Sequence, residues 1–360
     1  MKEEDNIDLD NDAGDEENGL YEHYNILVDK KQQPLRIDKF LMDRMMRVTR
    51  NKVQEAIKAG LITVDDKHIK PNLKVRPGMN IKVILPKPLP SDHIEPENIP
   101  LDIRYEDDDI MVIMKPPGMV VHPGFGNRHG TLVNALAYYF KNRDLPVMEG
   151  NQADRPGLVH RIDKDTSGLL LIVKKEDVMS EMARQFFEHK IERSYQAILW
   201  GVPDQSEGTI VTNIGRHPRY RKKMTAFDPD EEIGKRAVSH YKVLEDLYYV
   251  SLVECKLETG RTHQIRVHFS HIGHPLFNDH TYGGDRIMKG TQFSKYKTFV
   301  DNCFKLMPRQ ALHAKSLGFN HPRTGEHMFF DSDLPDDMAA VMDKWRSYVD
   351  TKRSNLKLDE

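Results

Sequence analysis

The chain has 360 residues, 38% of them apolar and 30% charged, which is ordinary for a soluble globular protein and long enough for two or three domains of about 150 residues. Apolar runs such as Leu169 to Val173 are too short to span a bilayer, and residues 1–19 lack the basic start and apolar stretch of a secretory signal. The net charge of -3 hides an asymmetry: residues 1–19 carry nine acidic residues against Lys2 alone, whereas Leu35 to Pro86 hold 12 Lys or Arg against five Asp or Glu.

The acidic stretch 1–19 has almost no core-forming residues and is expected to be a disordered tail. Ile37, Phe40, Leu41 and Met45 then recur at helical spacing, predicting a helix over 37–46. A second helix follows, with Thr49 as its cap, Val53, Ala56 and Ile57 as its buried stripe, and Gly60 at its left-handed end. Leu61 to Val64, the turn Asp65-Asp66-Lys67 and a strand ending near Val83 to Leu85 complete a helix-helix-hairpin unit over 20–86. Its basic balance fits a phosphate-backbone binder and, equally, a solvated basic surface that holds no ligand. Arg36-Ile-Asp38-Lys-Phe-Leu, Arg50-Asn-Lys-Val-Gln-Glu-Ala-Ile-Lys-Ala-Gly60 and Val-Arg76-Pro-Gly78 resemble the RNA-binding domain first described in ribosomal protein S-four. That resemblance implies RNA contacts from Arg36, Arg50, Asn51 and Lys52.

Five prolines between Pro86 and Pro100 predict a semi-stiff linker over 87–100 and a second domain over 101–350. Within it, Ile103 to Met114 reads as strand, turn and strand, Leu132 to Phe140 as a helix, and Gly168 to Val173 as a buried strand. Asp177 to His189 reads as an amphipathic helix with Met179, Met182, Ala183, Phe186 and Phe187 inward. Arg193 to Trp200, Tyr249 to Leu257, Leu312 to Phe319 and Met328 to Phe330 read as strands. Pro335 to Val349 closes the fold as a helix with Met338, Val341, Met342 and Trp345 inward, leaving 351–360 as a tail. Strands dominate and helices interrupt them irregularly, so the class is α+β: a small RNA-binding unit followed by a domain with a mixed, mainly antiparallel sheet flanked by helices.

Chemistry concentrates in two clusters. The polar loop Arg155 to Gly168 feeds an apolar strand, and a loop held by a rigid strand is where reactive groups tend to sit. It brings His160, Arg161, Asp163 and Asp165 within six residues, although an isolated Asp-x-Asp is more often a charged turn. The second cluster, Glu258 to Gly273, predicts a helix capped by Thr262, with Ile265, Phe269 and Ile272 buried. Arg266 lies beside that face, and a buried arginine demands an anionic partner. His268, His271 and His274 step around the helix instead of stacking, and no cysteine or His-Glu-x-x-His pattern joins them, so no metal is expected. Arg216, Arg219, Arg221, Lys222 and Lys223 surround Tyr220 and could track a nucleic-acid backbone. Tyr195 taken alone is more simply read as a packing residue.

Taken together, His160-Arg161-Ile-Asp163-Lys-Asp165-Thr-Ser-Gly168-Leu, Arg193-Ser-Tyr195-Gln-Ala, Gly260-Arg261-Thr-His-Gln-Ile-Arg266-Val-His268 and Arg309-Gln-Ala-Leu-His313-Ala resemble the RluA-type RNA pseudouridine synthases, in that family's order. Ile162 stands where leucine is usual. The resemblance implies isomerisation of uridine to pseudouridine, without cofactor or metal, in RNA of the large ribosomal subunit or its assembly precursor. It assigns Asp163 as nucleophile, Arg266 as its ion-pair partner, Tyr195 as the residue stacking on uracil, and Arg161 as the side chain filling the gap left by a flipped nucleotide. Arg219, Arg221 and Lys222 would add RNA contacts. No membrane and no obligate protein partner are expected, and two cysteines, Cys255 and Cys303, fit a reducing cytoplasm. The rival readings are a non-catalytic RNA-binding factor and a metal hydrolase using Asp163 with Asp165.

Overall fold

The computed structural model describes residues 21–45, 50–85, 94–122, 128–141, 146, 157–220, 223–291 and 293–358. The chain divides into two compact units, 1–91 and 92–360.

The first unit runs β1 (Tyr21–Leu27), β2 (Leu35–Arg36), α1 (Ile37–Met42), α2 (Arg50–Lys58), β3 (Ile62–Val64), β4 (Lys67–His68), β5 (Lys74–Val75) and β6 (Asn80–Leu85). A four-stranded sheet in the order β1-β6-β3-β4 is antiparallel throughout, and β2 pairs with β5. Ile37, Phe40 and Leu41 meet Val53 and Ile57 over Ile62, Ile81 and Val83, and all are buried, as their i, i+3 and i+4 spacing requires. Asp65 and Asp66 have φ of 49° and 59°, the left-handed pair that turns a two-residue hairpin in step with strand twist. Asp38 is buried in α1 and accepts hydrogen bonds from Arg36, Arg50, Gln54 and the Lys39 amide. Burial alone would raise its pKa, but those donors outweigh it and hold the carboxyl well below the usual range. The first helix stops at Met42, short of Met46, because the Arg44 amide bonds back to Leu41 and tightens the chain into a turn. The expected cap Thr49 lies outside the described residues, as do the tail 1–19 and residues 87–93 of the expected linker.

The second unit runs β7 (Asp102–Glu106), β8 (Ile110–Lys115), α3 (Leu132–Phe140), β9 (Ser167–Val173), α4 (Glu176–Phe187), β10 (Glu192–Trp200), β11 (Glu207–Arg216), β12 (Met224–Phe227), β13 (Lys235–Asp246), β14 (Val250–Leu257), α5 (Gln264–His271), α6 (Ser294–Leu306), β15 (Leu312–Asn320), β16 (His327–Asp331) and α7 (Asp336–Leu358). Its sheet has the order β12-β11-β13-β14-β10-β15-β9-β8-β7, with β16 added beside β15. The β9–β15 pair is parallel, and the other pairs are antiparallel. The parallel pairing needs Gly168: at φ +126°, a Cβ there would lie 2.3 Å from the Ala314 carbonyl oxygen. β9 is buried on both faces because its residues alternate between two cores. Leu170 and Ile172 join α3 and α5, whereas Leu169, Leu171 and Val173 join α4. A third core gathers Trp200 with Met338, Val341, Met342 and Trp345 of α7.

The structure departs from the sequence pattern in three places. Phe187 is 84% exposed. The inward position belongs to Gln185, whose amide exchanges hydrogen bonds with the Asn320 backbone and so can be buried. Ile94 and Ile99 pack on the second unit's core, and the Glu97 amide donates to the Asn134 carbonyl, so 94–100 is part of that unit and not free linker. The final helix continues to Leu358, through residues expected to form a tail. No described helix is long and apolar enough to cross a membrane.

Candidate active site

The loop between Leu158 and Thr166 is carried by β9 and lines a cleft of about 840 Å³. The cleft also takes in Phe186 and Phe187 of α4, Arg193 and Tyr195 of β10, and Arg261 to Ile265 leading into α5. Asp163 lies at this cleft with its side chain 20% exposed, and its Oδ2 is 3.0 Å from Arg266 Nη1. Arg266, on the buried side of α5, spends its other nitrogens on Asp279: Nε to Oδ2 at 2.7 Å and Nη2 to Oδ1 at 2.9 Å. Asp279 is fully buried and accepts further from the Thr281 and Tyr282 amides. Burial would lower the Arg266 pKa, but Asp279 first and Asp163 after it raise it, so the guanidinium is permanently charged. A cation clamped by one carboxylate thus offers its remaining edge to a second that faces the cleft.

Tyr195 is buried beneath the cleft, and its hydroxyl makes no hydrogen bond to a described residue. Burial raises its pKa, with Arg193 opposing and Asp163 adding, so the phenol stays protonated at neutral pH. His160 is neutral as well. Burial and then Arg193 push it down to about 3, its Nε2 accepts from the Leu171 amide, and its ring stacks on Phe186 at 4.7 Å. The helix α5 is not capped by Thr262: His263 takes that position with φ 57° and no side-chain cap. His263 lies with Nε2 3.8 Å from Asp163 Oδ1, and its Nδ1 is 2.9 Å from the Tyr282 hydroxyl.

Three supporting residues escaped the sequence reading or its reasoning. Lys115, fully buried at the end of β8, donates to the carbonyls of Pro116, Met119 and Lys164 and so ties down the reactive loop. Burial lowers its pKa to about 7, against the pull of Asp165. Asp279 lies 13 residues from Arg266 with no motif to mark it. Arg309 binds Asp337 through two bonds and also holds the Asp165 carbonyl, so residue 165 is fixed through its backbone, and its carboxylate makes no hydrogen bond to a described residue.

The histidines do not converge. His268 sits between Ser239 and Thr212, His274 donates to the Trp200 carbonyl, and His271 is exposed. Among the described residues a grouping with metal-like spacing is Asp107, Asp109 and His321, and there Arg323 and Lys175 already pair with Asp109. Of the expected RNA contacts, Arg161 is exposed at the cleft, Asn51 and Lys52 lie on the outer face of α2, and Arg219 is exposed after β11. Arg36 and Arg50 are half-exposed while both pair with Asp38. Arg221 and Lys222 lie outside the described residues.

The chain matches the RNA pseudouridylate synthase family over residues 109–271 and the S4 domain over 35–81. An uncharacterized RNA pseudouridine synthase of Chlorobaculum parvum is 46% identical over 91% of this chain and 99% of its own. The ribosomal large subunit pseudouridine synthase D of Zymomonas mobilis is 40% identical over 85% of this chain and 92% of its own. The solved human RNA pseudouridylate synthase domain containing 4 shares the fold, with a TM-score of 0.51 and 23% identity, over 68% of this chain and 92% of its own. The chain therefore belongs to the RluA-type RNA pseudouridine synthases and carries an S4 domain. It is an isomerase that acts on RNA.

Proposed function

We propose that the enzyme isomerises specific uridines of large-subunit ribosomal RNA, or of its assembly precursor, through covalent attack by Asp163. The observation that carries this reading is the cleft-facing Asp163 carboxylate held at 3.0 Å by an arginine that Asp279 has already fixed. A positioned carboxylate can add to the base or to the anomeric carbon and form a covalent adduct. In the net reaction the bond from C1′ to N1 breaks, a bond from C1′ to C5 forms, the C5 proton leaves and N1 takes up a proton, so atoms balance without a cofactor. Tyr195 offers a buried ring for the uracil to stack on and a hydroxyl free to assist proton movement. Arg161, exposed at the rim, can fill the space left in the RNA, and such insertion offsets the few kcal/mol that base flipping costs. The S4 unit, taken as 20–86, supplies affinity through Arg36, Arg50, Asn51 and Lys52, with Arg219, Arg221 and Lys222 adding contacts from the second unit. Relatives named for the large ribosomal subunit support that substrate, and the cytoplasm is the compartment that goes with it.

The test is to incubate purified protein with unmodified large-subunit ribosomal RNA and, separately, with transfer RNA, and to sequence pseudouridines. Discrete new sites in the ribosomal RNA alone are expected. Equal modification of transfer RNA would overturn the substrate assignment.

A further inference from the structure

We propose that His263 is a positioning residue for Asp163, with the Tyr282 hydroxyl fixing which of its ring nitrogens carries the proton. The inference builds on the reading of Asp163 as nucleophile. Tyr282 Oη accepts a hydrogen bond from the Met224 amide at 3.2 Å, which leaves its own hydrogen for His263 Nδ1, 2.9 Å away. A neutral imidazole that accepts at Nδ1 must carry its proton at Nε2. Nε2 is the nitrogen 3.8 Å from Asp163 Oδ1, while Arg266 holds Oδ2 of the same carboxylate at 3.0 Å. Two donors from α5 and its cap therefore flank the two oxygens and set the rotation of the carboxylate. The His263 contact is longer than a hydrogen bond, and catalytic contacts of this kind often tighten only when substrate is bound.

The left-handed backbone at His263, φ 57°, is what directs its ring back toward the cleft at the start of the helix. Non-glycine residues seldom hold that conformation, and where they do they often mark functional sites. The charged groups facing the ring are Asp163, Arg266, Asp279 and Arg161, and burial outweighs their mixed influence to keep His263 neutral. Lys223 faces the far partner, 5.0 Å over the Tyr282 ring.

Tyr282→Phe isolates the idea, because the phenylalanine ring keeps the packing under the Arg266 guanidinium, 5.0 Å away, and loses only the hydroxyl. Without that donor the imidazole can place its proton on Nδ1 and turn a lone pair toward Asp163. Turnover at saturating RNA should then fall by roughly tenfold or more, as when another enzyme's catalytic histidine is left in the wrong tautomer. Affinity for RNA should stay within about twofold. The substrate is total RNA from cells lacking the protein, the readouts are kcat, KM and melting temperature, and His263→Gln, which can donate from its amide, should retain more activity than His263→Phe. Equal turnover of Tyr282→Phe and wild type, or a His263→Gln no more active than His263→Phe, would overturn the proposal. Asp163→Asn is run alongside: if it stays active the nucleophile reading fails, whereas an inactive Asp163→Asn beside an unimpaired Tyr282→Phe removes the relay alone.

Discussion

Replacing Arg266 with alanine should destabilise the second unit mainly through Asp279, the partner that lies deepest. Asp163 is 20% exposed and can be solvated from the cleft, but Asp279 is fully buried and would be left with only its two backbone donors. Removing one member of a buried ion pair costs about 3–5 kcal/mol. At about 2–4 °C per kcal/mol for a unit of this size class, melting should fall by roughly 6–20 °C. The neutralised pair Arg266→Met with Asp279→Leu should recover much of that loss, because no unpaired charge remains buried, while activity stays lost. Asp163→Ala should melt within about 1 kcal/mol of wild type, because the buried guanidinium left behind keeps its two bonds to Asp279. The assays are calorimetric melting and pseudouridine formation on the same samples. Should Asp163→Ala destabilise as much as Arg266→Ala, or the double replacement melt no higher than Arg266→Ala, the division of labour between the two carboxylates would be refuted.

Asp163→Asn should lower turnover by on the order of 10⁴-fold or more with RNA binding nearly intact, whereas Asp165→Asn, whose residue is held by its carbonyl, should stay active; filter binding and single-turnover assays separate the two. Excess EDTA should leave the rate unchanged, and loss of activity on chelation would favour a two-carboxylate metal enzyme. Deleting residues 1–90 should weaken RNA binding and flatten its log-log salt dependence by about 0.7 to 0.9 for each phosphate the protein no longer neutralises, with turnover at saturating RNA changing far less. Burial lowers both His268 and His313 to about 4, so each stays neutral in the fold while the unfolded chain takes up a proton near its ordinary 6.5. The unfolded state then binds more protons between those values, so stability should drop as pH falls through that window, and His268→Gln should make the melting temperature less pH-dependent.

The parts of the fold written in local pattern were legible, and those written in distant partners were not. Leu132–Phe140 reads as a helix from its spacing alone and is one, opened by Thr131 and Asn134 bonding reciprocally. Met338, Val341, Met342 and Trp345 point inward by the same logic and are all fully buried. The strands β11, β12 and β13 went unread, because this end of the sheet is partly exposed and mixes charge with apolar residues along each strand. Phe187 was misplaced because hydrophobicity cannot reveal that Gln185 finds backbone partners 135 residues away. At the site, a buried arginine could be seen to need an anion, but Asp279 as its nearer anchor could not, nor could Lys115 beneath the loop. Their roles arise from chain crossings that no short motif records.

Under the proposed function, this protein converts uridine to pseudouridine in large-subunit ribosomal RNA through Asp163. The most direct measurement is a pseudouridine map of that RNA from cells lacking the gene, complemented either with the wild type or with Asp163→Asn. Sites that vanish on deletion, return with the wild type and stay absent with Asp163→Asn are the predicted result. A map unchanged by deletion, or restored by Asp163→Asn, would contradict it.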